Sequence, residues 1–203
     1  MNYKLAYAVG FHPWEDAESC VPFSTGLLDL VEQEEHRVRA PFGRALDIGT
    51  GAGIWGIALA KRGWEVTGID NVDKALRRAR DRIAAKGVHM ELVHGDVTAL
   101  PDAAIGTGYR LIVDTGTFHD FTPEQRSAMG RGVDAVATDD ATIILTVWPD
   151  RRRPLIRGVD LDGIEAAFPG WHVENVGSTG YTPPKVLDLV LRPNEHFFRL
   201  RRR

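Results

Sequence analysis

The sequence predicts an α/β fold, a mostly parallel β-sheet with helices on both faces. Three observations predict it. Short β-rich runs alternate with helical patterns, which is the signature of a parallel sheet covered on both sides. The first run, Arg44 to Ile48, leads directly into a glycine-rich turn and then a helix. The 203 residues suit one compact domain with a sizeable core.

A leading helix is expected over about Phe23 to His36, and Ala40-Pro41-Phe42-Gly43 separates it from the first strand. A helix follows from about Gly53 to Arg62, and Trp64 to Ile69 reads as the second strand. Asp73 to Lys86 is a helix that Gly87 stops in the usual C-terminal position. Val88 to His94 and Tyr109 to Asp114 are the third and fourth strands. Pro123 to Ala137 is helical, with Thr122 as N-cap and proline at the first helical position. Thr142 to Trp148 is the most apolar strand, hence deep in the sheet. Asp160 to Phe168 is a short helix and Trp171 to Val176 the sixth strand. The tail has two readings. Either Val186 to Leu191 is a strand by its alternating leucines, or it is a short helix and Phe197 to Arg203 is the last strand; the second is favoured. The chain reads as one domain, with residues 1–40 as an arm and helix over the site.

Composition narrows the function classes. A net charge of −3 argues against a surface built to hold phosphate backbone, so no nucleic-acid partner is expected. The one cysteine, Cys20, excludes an internal disulfide, and a reducing, cytoplasmic setting is the default. No apolar run approaches the roughly 20 residues of a membrane span, and Met1 to Gly10 does not read as a signal peptide.

The stretch Ala45-Leu46-Asp47-Ile48-Gly49-Thr50-Gly51-Ala52-Gly53-Ile54-Trp55 is a strand, a turn and a helix start. Its glycines permit unusual dihedrals and close approach of a ligand to the main chain. Free N–H groups at the helix start face that ligand. Gly51 to Gly56 also fits the dinucleotide pattern G-x-G-x-x-G, with Asp70 about 20 residues on. The glycines alone therefore fit a nicotinamide cofactor as well as S-adenosylmethionine. Asp47 distinguishes them: a carboxylate there attracts a cationic amino group and repels a pyrophosphate. Its alternative role is to accept hydrogen bonds from the turn amides. Asp96, after the third strand, accepts from an adenine amine or is a plain turn residue.

The series Leu46-Asp47-Ile48-Gly49-Thr50-Gly51-Ala52-Gly53, Gly68-Ile69-Asp70, His94-Gly95-Asp96-Val97 and Leu111-Ile112-Val113-Asp114 resembles the class I, Rossmann-like S-adenosylmethionine-dependent methyltransferases. The resemblance implies a seven-stranded sheet whose last strand is antiparallel. It implies that the glycine turn holds the methionine moiety, that Asp70 takes the ribose hydroxyls, and that Asp96 takes the adenine with Val97 nearby. The candidate cofactor set is Asp47, Gly49, Thr50, Gly51, Gly53, Trp55, Asp70, Asn71, Asp96, Val97, Asp114 and Thr115, where Trp55 has a core role as its alternative. Val113-Asp114-Thr115-Gly116-Thr117-Phe118-His119 and Pro13-Trp14 resemble the small-molecule branch of thiopurine, thiol and tellurite-type enzymes. No Asn-Pro-Pro-Tyr or Asp-Pro-Pro-Tyr follows the fourth strand, which removes the common nucleic-acid amino-methylation site.

Methyl transfer from a sulfonium needs positioning, desolvation and, for a hydroxyl acceptor, a base. His119 is the catalytic candidate, because it follows the fourth strand where a parallel sheet opens its crevice. Asp120 either orients it or lies on the surface. The acceptor side is assigned to Trp14, His119 and Trp148, and the acceptor to a small molecule with a reacting oxygen or sulfur. Tyr7, Phe11 and Trp14 either cover the site or pin the N-terminal arm. Asp114 and Asp150 occupy places where some relatives hold magnesium, but Arg151-Arg152-Arg153 follows and repels a cation, so no metal is expected.

Overall fold

The computed structural model describes residues 3–10, 15, 19–149, 157–181 and 194–203. Its centre is a sheet of seven strands. These are β1 (Arg44–Ile48), β2 (Glu65–Asp70), β3 (Glu91–His94), β4 (Tyr109–Asp114), β5 (Ala137–Val147), β6 (Trp171–Ser178) and β7 (His196–Arg202). The order is β3-β2-β1-β4-β5-β7-β6. Strands β1 to β5 are mutually parallel, while β7 runs antiparallel to both of its neighbours, β5 and β6. The favoured reading of the tail therefore holds for its last strand; residues 186–191 lie outside the described residues.

Helices α1 (Tyr3–Ala8), α2 (Val21–His36), α3 (Ile54–Arg62), α4 (Asp73–Lys86), α5 (Pro123–Val136) and α6 (Leu161–Ala167) complete the fold. The period-two alternation of strand side chains splits the core in two. Leu46, Ile48, Ile112, Ile143 and Leu145 pack with Met129 and Val133 of α5 and Ile164 of α6. Ala45, Leu111, Val113, Ile144 and Phe197 pack on the other face with Leu27 and Val31 of α2 and Ile57 and Leu59 of α3. Expected helix ends are present. Gly87 closes α4 at φ 62°, and Thr122 and Gln125 form a reciprocal capping box at the start of α5.

The boundaries depart from the sequence reading where polar residues or caps intervene. β5 begins at Ala137, five residues before Thr142, because the exposed Asp139 and Asp140 hide its first half from hydropathy. Arg110 of β4 binds Asp140 there at 2.6 Å. β3 starts at Glu91 and not Val88, since the Val88 amide is spent on the Ile83 carbonyl in the α4 C-cap. Helix α1 and the 3₁₀ segment Val97–Ala103 had no signal in the periodicity. None of the described helices is long and apolar enough to cross a membrane.

Candidate active site

The C-terminal ends of β1, β2 and β4 meet at the glycine turn. Gly49, Gly51 and Gly53 have φ of 64°, 53° and 76°, a left-handed run that only glycine adopts without strain. Gly53 is the N-cap of α3. The turn is held from beneath by Asp47, which is 2% exposed. Its Oδ2 accepts from the Thr50 hydroxyl at 2.6 Å and from the Gly56 amide at 2.9 Å. Burial pushes this carboxyl up to about 6, against the pull of those two bonds. Asp47 thus fills the turn-bonding role that was the alternative to direct ligand contact. Gly56 is a packing requirement, since a Cβ there would lie 2.3 Å from Met90 Cε and 3.0 Å from Asp47 Oδ2.

Asp70 closes the turn from β2. Its Oδ2 accepts from Gly51 N–H at 2.9 Å and its Oδ1 from Val72 N–H at 2.8 Å. Burial raises its carboxyl above the usual range, while those amides pull it down. Asn71 is exposed, and its main-chain oxygen faces the His94 ring at 3.3 Å. Asp96 is exposed and caps the 3₁₀ segment, with Oδ1 accepting from the Thr98 amide and hydroxyl at 2.8 and 2.7 Å. Two residues of the cofactor set prove to be core. Val97 packs with Ile69 and Leu100, and Trp55 packs against Phe23 with ring centroids 5.4 Å apart. For Trp55 this is the core role given as its alternative, and neither burial is revealed by the turn motif.

The loop after β4 folds onto the glycine turn. A Cβ on Gly49 would lie 1.9 Å from Thr117 Oγ1, so Thr117 occupies the space that this glycine leaves. Asp114 is the anchor of that loop. It is 0% exposed and accepts from the amides of Gly116 (2.9 Å), Thr117 (2.7 Å) and Phe118 (3.1 Å). Burial pushes it up to about 7. Thr115 is half-buried in the same loop. His119 follows two residues after Thr117, in the 3₁₀ turn Phe118–Asp120. It is 5% exposed, and burial pulls its ring below the ordinary histidine value. The ring bonds the backbone of Thr146, whereas Nδ1 is buried without a hydrogen-bond partner. A ring that donates through Nε2 carries its lone pair on Nδ1. Half-buried Asp120 raises the ring's proton affinity, in opposition to burial.

Three contributors carried no sequence signal or a weak one. Arg126 of α5 donates to the carbonyls of Phe118 (3.3 Å), His119 (3.1 Å) and Gly158 (2.6 Å), and so pins the His119 turn. Tyr7 of α1 is 2% exposed among Val72 and Ala75, and its hydroxyl lies 3.1 Å from where a Gly51 Cβ would be. It both anchors the arm and borders the turn. Glu195, with Thr146 and Trp148, forms a buried polar group at the end of β5. Trp14, Asp150 and Arg151 to Arg153 lie outside the described residues.

These residues fit a cationic, adenosine-bearing cofactor. Asp47 and Asp70 are acids that burial leaves costly to ionise without a nearby cation, and Asp96 has Oδ2 remaining for a donor. A dinucleotide would place its pyrophosphate beside Asp47. Residues 45–139 match the methyltransferase domain family. The match covers just under half of the chain, and the cofactor that the sequence predicts is the one bound in a solved structure of the same fold. The chain is 30% identical over 104 residues to the ribosomal RNA small subunit methyltransferase C of Alcanivorax borkumensis, covering 48% of this chain and 30% of that one. It is 47% identical over 64 residues to the protein-L-isoaspartate O-methyltransferase of Chromobacterium violaceum, covering 30% and 29%. The chain thus spans about a third of the length of these curated relatives. Its fold matches magnesium protoporphyrin IX methyltransferase from Synechocystis, solved with bound S-adenosylmethionine. The TM-score is 0.73 and the identity 19%, over 98% of this chain and 93% of that one.

Proposed function

We propose that this protein transfers a methyl group from S-adenosylmethionine to an oxygen or sulfur of a small molecule. The observation that carries the reading is the contact between the two halves of the site. Thr117 seats the β4 loop on Gly49 of the cofactor turn, and His119, two residues on with Nδ1 unpartnered, belongs to that same loop at the C-terminal end of the parallel strands. The cofactor supplies an electrophilic methyl group on a good leaving group. Asp70 and Asp96 serve its ribose and adenine, with Gly49, Gly51 and Gly53 against the methionine moiety and Asp47 and Thr50 fixing the turn beneath it. His119 accepts the proton of a hydroxyl acceptor at Nδ1 as the oxygen–methyl bond forms, and later releases it to solvent. Burial serves this role by keeping the ring neutral. Trp148 and Trp14 are assigned to the acceptor side.

The two curated relatives are named for RNA and protein acceptors and the solved structure for a porphyrin, so the acceptor is the point to test. Labelled S-adenosylmethionine is to be offered to phenols, thiols, sugars and carboxylic acids, with ribosomal RNA and an isoaspartyl peptide alongside. Transfer to a phenol or thiol is the expected result. Transfer only to the RNA or the peptide refutes the small-molecule assignment.

A further inference from the structure

Glu195 stands at the acceptor end of the sheet and is not used by the cofactor turn. It immediately precedes β7 and is 7% exposed. Its Oε2 accepts from the Thr179 hydroxyl at 3.1 Å, and its main-chain oxygen accepts from the Thr179 amide at 2.9 Å. The side chains of Trp148 and Thr146, at the end of β5, also bear on the carboxyl. Thr146 joins Glu195 to His119. Its backbone takes the imidazole, while its hydroxyl stands close to Glu195, buried and outside hydrogen-bond geometry. Parity along β5 and β7 puts Thr146, Trp148 and Glu195 on one face.

The chemistry of this group is one-sided. Thr179, Trp148 and Thr146 are neutral donors, and no cation among the described residues acts on the carboxyl. Burial pushes it up to about 7 in consequence. The charged groups of the adjoining turn and helix, Asp120 and Arg126, act on His119 instead, and Arg126 is engaged by three carbonyls. A buried carboxyl surrounded by donors and lacking a counter-charge among the described residues is suited to a cationic ligand.

We propose that Glu195 anchors the methyl acceptor by pairing with a protonated amino group on it, while His119 faces the reacting atom. This rests on the methyltransferase reading above. The acceptor class is then a small hydroxylated amine. On binding near neutral pH, the carboxyl gives its proton to solvent and pairs as the carboxylate.

The test is calorimetric titration of the S-adenosylhomocysteine-saturated protein with tyramine and with 4-ethylphenol, which differ by the amino group. Tyramine is expected to bind at least tenfold more tightly. Titration in buffers of different ionisation enthalpy should show proton release at pH 6.5. Glu195→Gln should abolish both the preference and the proton release and leave S-adenosylhomocysteine binding intact, while Glu195→Asp restores part of the preference. Equal affinity for the two probes, binding of neither, or a preference that survives in Glu195→Gln overturns the proposal. Proton release in the wild type keeps the test decisive if a variant fails to fold. Failure of the wild type to bind S-adenosylhomocysteine refutes the methyltransferase reading itself, a separate outcome from the first three.

Discussion

Asp70 spends both carboxylate oxygens on amides, those of Gly51 and Val72, and so couples the cofactor turn to the start of α4. Replacing it by alanine removes charge-assisted bonds and frees the turn. S-adenosylhomocysteine affinity should fall at least tenfold, about 1.4 kcal/mol, by calorimetry; unchanged affinity would mean that Asp70 does not border the cofactor. His119 makes the opposite prediction. His119→Gln should lower turnover on a hydroxyl acceptor by about a hundredfold, the usual scale for one acid–base group, while cofactor affinity stays within twofold. Equal rates for variant and wild type would remove the base. At this scale the acids Asp47, Asp70 and Asp96 were readable because each follows a strand with a fixed place in the turn motif. Asp114 was readable as a site acid, but its use on three loop amides depends on a backbone path that sequence does not encode. Glu195 was hidden by the ambiguous tail, since its burial follows from β7 being the inner strand between β5 and β6.

The elements are fitted at glycines. Gly130 lies inside α5, and a Cβ there would sit 1.9 Å from the Ala167 carbonyl oxygen at the end of α6. Gly130→Ala must push the two helices apart, at about 1–3 kcal/mol, which a urea midpoint measures. The same midpoint in both proteins would show that the α5–α6 contact yields freely. Gly49→Ala meets Thr117 and a φ of 64° together, so it should weaken cofactor binding by displacing the β4 loop. Long elements with clear punctuation were legible: α4 has its expected bounds, from Asp73 to the Gly87 stop, and α5 starts at Pro123 after its Thr122 cap. The polar first half of β5 and the 3₁₀ segment after Asp96 were not, because neither carries an apolar period.

Across the whole molecule, buried carboxyls give stability a direction in pH. Burial raises Asp47 to about 6, and Asp114 and Glu195 to about 7. A carboxyl that holds its proton more tightly when folded favours the native state at acid pH. That advantage is present below the unfolded value near 4 and is lost as pH rises through 6 and 7. The ligand-free protein should therefore unfold at lower urea at pH 8 than at pH 5.5, and Glu195→Gln should flatten the difference by an amount on the order of 2 kcal/mol. A higher midpoint at pH 8 would contradict the assigned burial. The strand order was accessible to sequence only through the resemblance, while the helices on both faces followed from the alternation of patterns. Calorimetry with S-adenosylhomocysteine and NADH, in wild type and Asp70→Ala, tests whether the turn from Asp47 to Gly53 holds S-adenosylmethionine. Binding of S-adenosylhomocysteine alone, weakened at least tenfold in the variant, is the predicted result; binding of NADH alone would contradict it.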